Sequence, residues 1–178
     1  MEKVYFQEEQ RLDLWIRLPF LLLAIGTTVT FGYGCYHQFV MRIPWGDKPM
    51  QDQELVILSI IINLTMWIVF MLFFLARFTT RITDDGIYIK FPPFQIKMKH
   101  ISIENIQKYE VRRYSPLREY GGFGVKDSLR KFGKGYIATG NQGLQLYLVD
   151  GKKVLLGTQK PDSIRLAVNR MMDQKEMR

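Results

Sequence analysis

The densest glycine run in the chain is Gly121-Gly122-Phe123-Gly124, and glycine-rich loops are where proteins cradle phosphate. A P-loop needs G-x-x-x-x-G-K-[ST], and a dinucleotide site needs G-x-G-x-x-G between a strand and a helix. Neither pattern is present, so the run is expected to be a bulge or a tight strand bend. Ser102, Ser115, Ser128 and Ser163 show no nucleophile elbow. His100 is the only histidine after residue 76, and Asp84-Asp85 read as turn residues. Cys35 stands alone, which excludes an intrachain disulfide and a cysteine metal site. His37 and His100 are too few for a histidine-based metal centre without carboxylates. The expectation is a protein that is not an enzyme and carries no cofactor.

What remains is positive charge. Arg112, Arg113, Arg118, Lys126, Arg130, Lys131 and Lys134 cluster in sequence, opposed only by Glu119 and Asp127. Lys90, Lys97 and Lys99 precede them. These ten residues are the candidate contacts to a membrane or ligand. The charge is also segregated. Residues 1–76 hold 5 Lys/Arg and 7 Asp/Glu, and residues 77–178 hold 20 and 10, giving −2 and +10. Such asymmetry calls for an anionic partner. Next to an anionic leaflet each Lys or Arg adds about 1 kcal/mol of attraction. Nucleic acid is set aside, because no recognition motif and no interleaved stacking aromatics accompany the charges.

The element that positions this basic half is Leu55–Ala76, a charge-free run ending at Arg77. About 20 apolar residues span a bilayer core. Leu18–Val40 reads as a first span, with Gly26, Gly32 and Gly34 as small residues that let helices approach. Residues 18–76 are thus expected to be a transmembrane hairpin with spans 18–40 and 55–76. Asn63, mid-way along the second span, needs a partner: a threonine of the first helix, a second copy, or the backbone of its own helix. Residues 41–54 form the connecting loop, with Trp45 at the interface. Residues 1–17 read as an amphipathic lead-in, with Leu12, Trp15 and Ile16 at helical spacing. Lys3, Arg11, Arg17, Arg77 and Arg81 flank the outer ends, against two positive residues in the loop. Both termini are therefore expected to be cytoplasmic.

Residues 77–178 read as a second unit, held close to the bilayer by its short connection to the second span. Ile87, Ile89 and Phe91 alternate with Tyr88 and Lys90, the period of a half-buried strand. Ile96-Lys97-Met98-Lys99 alternates again after Pro92-Pro93. Leu144–Gly157 forms the clearest hairpin, around Asp150-Gly151. Ile164, Ala167, Val168 and Met171 fall at i, i+3, i+4 and i+7, one face of a final helix. The fold class is a membrane α-helical hairpin plus an α+β, mainly-β domain of antiparallel strands closed by one C-terminal helix.

This strand order with one terminal helix resembles the pleckstrin-homology-like (PH-like) fold. The runs Tyr120–Gly124, Gly140–Leu144, Asp150–Lys153 and Gly157–Pro161 resemble a group of uncharacterised bacterial membrane proteins. That group pairs two transmembrane helices with a cytoplasmic PH-like domain. The resemblance implies a bacterial inner-membrane protein. Its basic domain would bind a protein or anionic lipid headgroups, and Lys90, Lys97 and Lys99 fall near the place where PH domains grip phosphoinositides. The alternative is an accessory subunit of a transporter or other membrane complex. A small transporter is disfavoured, because neither span carries a charge.

Overall fold

The computed structural model describes residues 3–128 and 131–176. The chain divides into two units. Leu14–Leu75 is a helical hairpin. Residues 1–13 and 76–178 together make a β-rich domain with two sheets.

In the hairpin, α1 runs Leu14–Phe39 and α2 runs Asp52–Leu75. Both are long and apolar enough to cross a membrane. Trp15 and Ile16 belong to α1, so this helix begins four residues before the expected span. Asn63 is satisfied inside the hairpin. Its Nδ2 donates to the Ser59 carbonyl at 2.9 Å, and its Oδ1 lies 2.7 Å from the Thr28 hydroxyl. Trp67 Nε1 donates to that same hydroxyl at 3.1 Å. The amide thus uses both a threonine of the first helix and the backbone of its own helix. Gly34 makes room for the Trp45 ring, which an added Cβ would meet at 2.6 Å. Gly26 and Gly32 have nothing that close, so they are not where the two helices meet.

The β-domain opens with a strand that periodicity did not suggest. Residues 4–11, expected as part of a lead-in, are β1 (Val4–Arg11). It pairs antiparallel with β2 (Arg77–Thr83), Arg11 opposite Arg77. The helical hairpin is therefore inserted between two neighbouring strands of one sheet. The expected boundary at residue 77 moves accordingly, and the domain is discontinuous in sequence. Phe6, Glu8, Gln10 and Leu12 are all buried. Two polar residues on that inward face hid the alternation.

β3 (Gly86–Phe91) and β4 (Gln95–Ser102) complete the first sheet, in the order β1-β2-β3-β4. Phe78, Ile82, Ile87, Ile89 and Phe91 face its core. After a short 3-10 turn, Ile103–Asn105, the second sheet contains β5 (Ile106–Arg113), β6 (Gly124–Asp127), β7 (Lys134–Ile137), β8 (Gln142–Leu148) and β9 (Lys153–Gly157). Its order is β5-β8-β9-β7-β6. β8 and β9 form the expected hairpin. β7 and β9 run parallel, which corrects the all-antiparallel expectation: the chain leaves β7, crosses to β8 and returns beside it.

Two helices finish the domain. α3 (Pro116–Tyr120) is capped by the Ser115 hydroxyl and stopped by Gly121, in the left-handed region. The glycine run is thus a helix stop and turn, not the expected strand bulge. α4 (Pro161–Glu176) buries Ile164, Ala167, Val168 and Met171, the face its spacing indicated.

Candidate functional site

Lysines from four parts of the domain meet at one cleft of about 400 Å³. β4 supplies Lys99. The segment entering β7 supplies Lys131 and Lys134. The β8–β9 turn supplies Lys152, and β9 supplies Lys153. The turn forms because Asp150-Gly151 suits a tight reversal, with Gly151 at φ +78°. Gly133, at φ +80°, lets its backbone approach Lys153 so closely that a Cβ would sit 2.0 Å from that carbonyl oxygen. This approach sets the start of β7 beside the start of β9 and brings the two lysine pairs together.

The cleft is under-neutralised. Lys152 is paired with Asp150 at 2.7 Å. Among the described residues, no carboxylate lies within ion-pair distance of Lys99, Lys131, Lys134 or Lys153. Asp127 is the one acidic residue in the lining. Lys99 and Lys153 rest their charges near the Tyr136 and Tyr147 rings, at 5.8 and 5.6 Å. Burial holds the Lys99 ammonium below the usual lysine range, and the charges of Lys134 and Lys152 lower it further. A bound anion would reverse the second effect.

That shift makes a prediction with a definite sign. A lysine whose folded-state pKa is depressed penalises the folded state while it is charged. The penalty is complete below the folded pKa and fades as pH rises toward the unfolded value. Lys99→Met keeps the aliphatic stem and removes the charge. The variant should melt at higher temperature than the wild type at neutral pH, and the gap should close on the alkaline side. Its affinity for anions should fall. A lower melting temperature at neutral pH would show that the Lys99 charge is already compensated.

The other expected residues scatter. Arg112, on β5, is committed internally: its guanidinium pairs with Glu119 at 2.8 Å, bonds Gln145 Oε1 at 3.0 and 3.2 Å, and lies 4.7 Å over the Phe132 ring. Glu119 also accepts from the Ser115 amide at 2.9 Å. Arg112 therefore fastens α3 to the second sheet beside Tyr114 and Tyr120, whose hydroxyl burial pushes up to about 12 in the case of Tyr120. Arg113 ends β5, Arg118 is on α3 and Lys126 is on β6, all exposed and none lining the cleft. Lys90 lies on β3 and Lys97 on β4, also outside it. Arg130 lies outside the described residues. Of the ten, Lys99, Lys131 and Lys134 are brought together. Lys152 and Lys153 were missed, because the Asp-Gly turn accounted for them fully as hairpin residues.

Asp85 and His100 meet beside the β2–β3 turn. Asp85 accepts from the Thr83 hydroxyl and, at 2.7 Å, from the Tyr88 hydroxyl, with His100 Nε2 at 3.6 Å. These contacts, the Thr83 bond foremost, hold its carboxyl below the usual range and close the β2–β3 turn. Among the described residues no three His, Cys, Asp or Glu side chains are placed to hold a metal ion.

No curated protein matches the chain. A family model does match it, over residues 4–173, which takes in β1, the hairpin and nearly all of the β-domain; the chain belongs to the family of unknown function DUF6141.

Proposed function

We propose that this chain is a non-enzymatic, membrane-anchored binding protein. In this reading its β-domain is PH-like and offers the lysine cleft to the phosphate of anionic lipid headgroups on the inner face of a bacterial cell membrane. The carrying observation is the cleft itself, five lysines with a single ion pair among them. Cationic side chains gathered without counter-charges repel one another, and an anion relieves that repulsion.

Topology supports the membrane side of the reading. β1 precedes α1 and β2 follows α2, yet the two strands are hydrogen-bonded neighbours. Two crossings return the chain to the side it left, so a spanning hairpin is compatible with this pairing. The distribution of Lys and Arg supports a cytoplasmic location for that side. A four-stranded antiparallel meander, a second sheet and a terminal helix suit a PH-like arrangement. The accessory-subunit alternative draws no support from Asn63, whose bonds lie within the hairpin.

The test uses the full chain in neutral detergent micelles, titrated calorimetrically with a water-soluble, short-chain phosphatidylglycerol. Lys99→Ala with Lys134→Ala should weaken binding by about 2 kcal/mol, roughly thirtyfold. Arg165→Ala with Arg170→Ala removes the same charge from the exposed side of α4 and should change little. Equal losses from both pairs would mean that net charge, not the cleft, attracts the lipid.

A further inference from the structure

The β3–β4 hairpin carries exposed apolar side chains at and beside its tip. Phe91 pairs with Gln95 and Ile89 with Lys99. One residue of β3, Lys90, therefore stands opposite three of β4, namely Ile96, Lys97 and Met98. This is a β-bulge, and bulges re-aim side chains. Ile96 is 72% exposed and Met98 55%, although alternation alone would assign one face of this strand to a core. Phe94, at the turn, is 43% exposed and meets Phe91 edge-on at 5.4 Å. β4 is also the outer strand of its sheet. Exposed apolar residues gathered at one tip mark an interaction surface.

The sheet itself says which end this is. The Arg77 amide donates to the Pro92 carbonyl at 3.2 Å, and Arg77 pairs with Arg11. The tip thus shares an end of the sheet with both points where the chain passes to the helices, since α2 ends at Leu75 and α1 begins at Leu14. Lys97 lies between the two exposed apolar side chains, and Lys90 is opposite them. Apolar groups flanked by lysines match the boundary between acyl chains and anionic headgroups.

We infer that Ile96 and Met98, with Phe94 at the turn, form a wedge that enters the bilayer interface. The occupant of the exposed tip is lipid. This inference rests on the membrane-spanning reading and deepens it. The wedge acts as a further attachment, which keeps the lysine cleft against the headgroups.

The experiment places an environment-sensitive fluorophore on single cysteines in the full chain, with Cys35→Ser as background, reconstituted in vesicles of phosphatidylcholine and phosphatidylglycerol. Ile96→Cys reports the wedge, Ile61→Cys the middle of α2, and Glu104→Cys a surface site away from the tip. The fluorophore at 96 should shift to the blue, brighten several-fold relative to 104, and be quenched by lipids brominated high on their chains. The fluorophore at 61 should be quenched by lipids brominated near the chain ends. Quenching at 61 with a water-like signal at 96 would overturn the wedge and leave the spanning reading intact. No quenching at 61 would overturn the spanning reading itself. A blue-shifted signal at 96 that ignores brominated lipid would mean protein covers the tip, a second copy if the signal fades on dilution into more lipid, and would also overturn the proposal. Ile96→Ser with Met98→Ser, both exposed, should abolish quenching from a fluorophore moved to residue 94 without altering the melting temperature. Unchanged quenching would show that these two residues do not hold the tip in lipid.

Discussion

A chain beginning at Ala76 should fail to fold as the β-domain, and adding residues 1–13 ahead of it through a short flexible bridge should restore folding. The reason is β1. Phe6 and Leu12 are buried, and each such side chain contributes about 1.5–3 kcal/mol. Glu8, buried on the same face, accepts from the Thr158 hydroxyl at 2.7 Å and from the Gln159 amide at 3.0 Å. Gln10 Nε2 donates to the Gly157 carbonyl at 2.8 Å. These three bonds hold the segment leading into α4, so losing β1 also loosens the helix that covers the core. β2 would be left with an open hydrogen-bonding edge over an uncovered apolar face. The combined loss, several kcal/mol, is comparable to the roughly 5–15 kcal/mol that holds most domains together. Arg11 and Arg77 are opposite one another, so a few glycines and serines can replace the hairpin. Amide dispersion and near-ultraviolet circular dichroism read the outcome. Native-like spectra from residues 76–178 alone would make β1 dispensable.

Gly133→Ala should be the most damaging single methyl group in the β-domain. The position has φ +80°, and the added Cβ would lie 2.0 Å from the Lys153 oxygen and 2.6 Å from its carbonyl carbon. Both contacts are with backbone, which cannot rotate away. The left-handed conformation costs an alanine about 1 kcal/mol or more, and relieving the clash requires the parallel β7–β9 pairing to open at its start. A loss of about 3 kcal/mol or more is expected, within the range of mutations that break a special backbone site. Anion binding should fall with it, because Lys131 and Lys134 reach the cleft only through this approach. Gly151→Ala, also at positive φ but with nothing within 4 Å of the added Cβ, separates conformational strain from the clash and should cost much less. Equal losses from the two would show that the close approach is not what sets the β7–β9 junction.

The helices were legible because an uninterrupted apolar run has few alternative readings. The β8–β9 hairpin and α4 were legible because Asp150-Gly151 and the spacing Ile164, Ala167, Val168, Met171 each have a strong local signature. β1 was not. Glu8 and Gln10 stand on its buried face, so their polarity erased the alternation, and their partners at Gly157, Thr158 and Gln159 lie 147 to 151 residues away. The bulge at Ile96–Met98 was hidden for the opposite reason: alternation was present, but the register inserted two extra residues and turned the apolar ones outward. Arg112 looked like a surface charge because nothing local announces Glu119 and Gln145 as its partners. The lysine cleft was half visible. Lys99, Lys131 and Lys134 stood out as charge, while their meeting with Lys152 and Lys153 depends on the crossing from β7 to β8 and back beside β7, which no single stretch encodes.

The central claim, that the cleft lysines meet anionic headgroups, is tested most directly by lysine acetylation of the full chain in nanodiscs, read residue by residue by mass spectrometry. Discs of pure phosphatidylcholine are compared with discs containing phosphatidylglycerol. Lys99, Lys134, Lys152 and Lys153 should be protected only in the anionic discs, with Lys160, exposed just before α4, modified equally in both. Cleft lysines that react at the same rate with and without the anionic lipid, or protection spread evenly to Lys160, would contradict it.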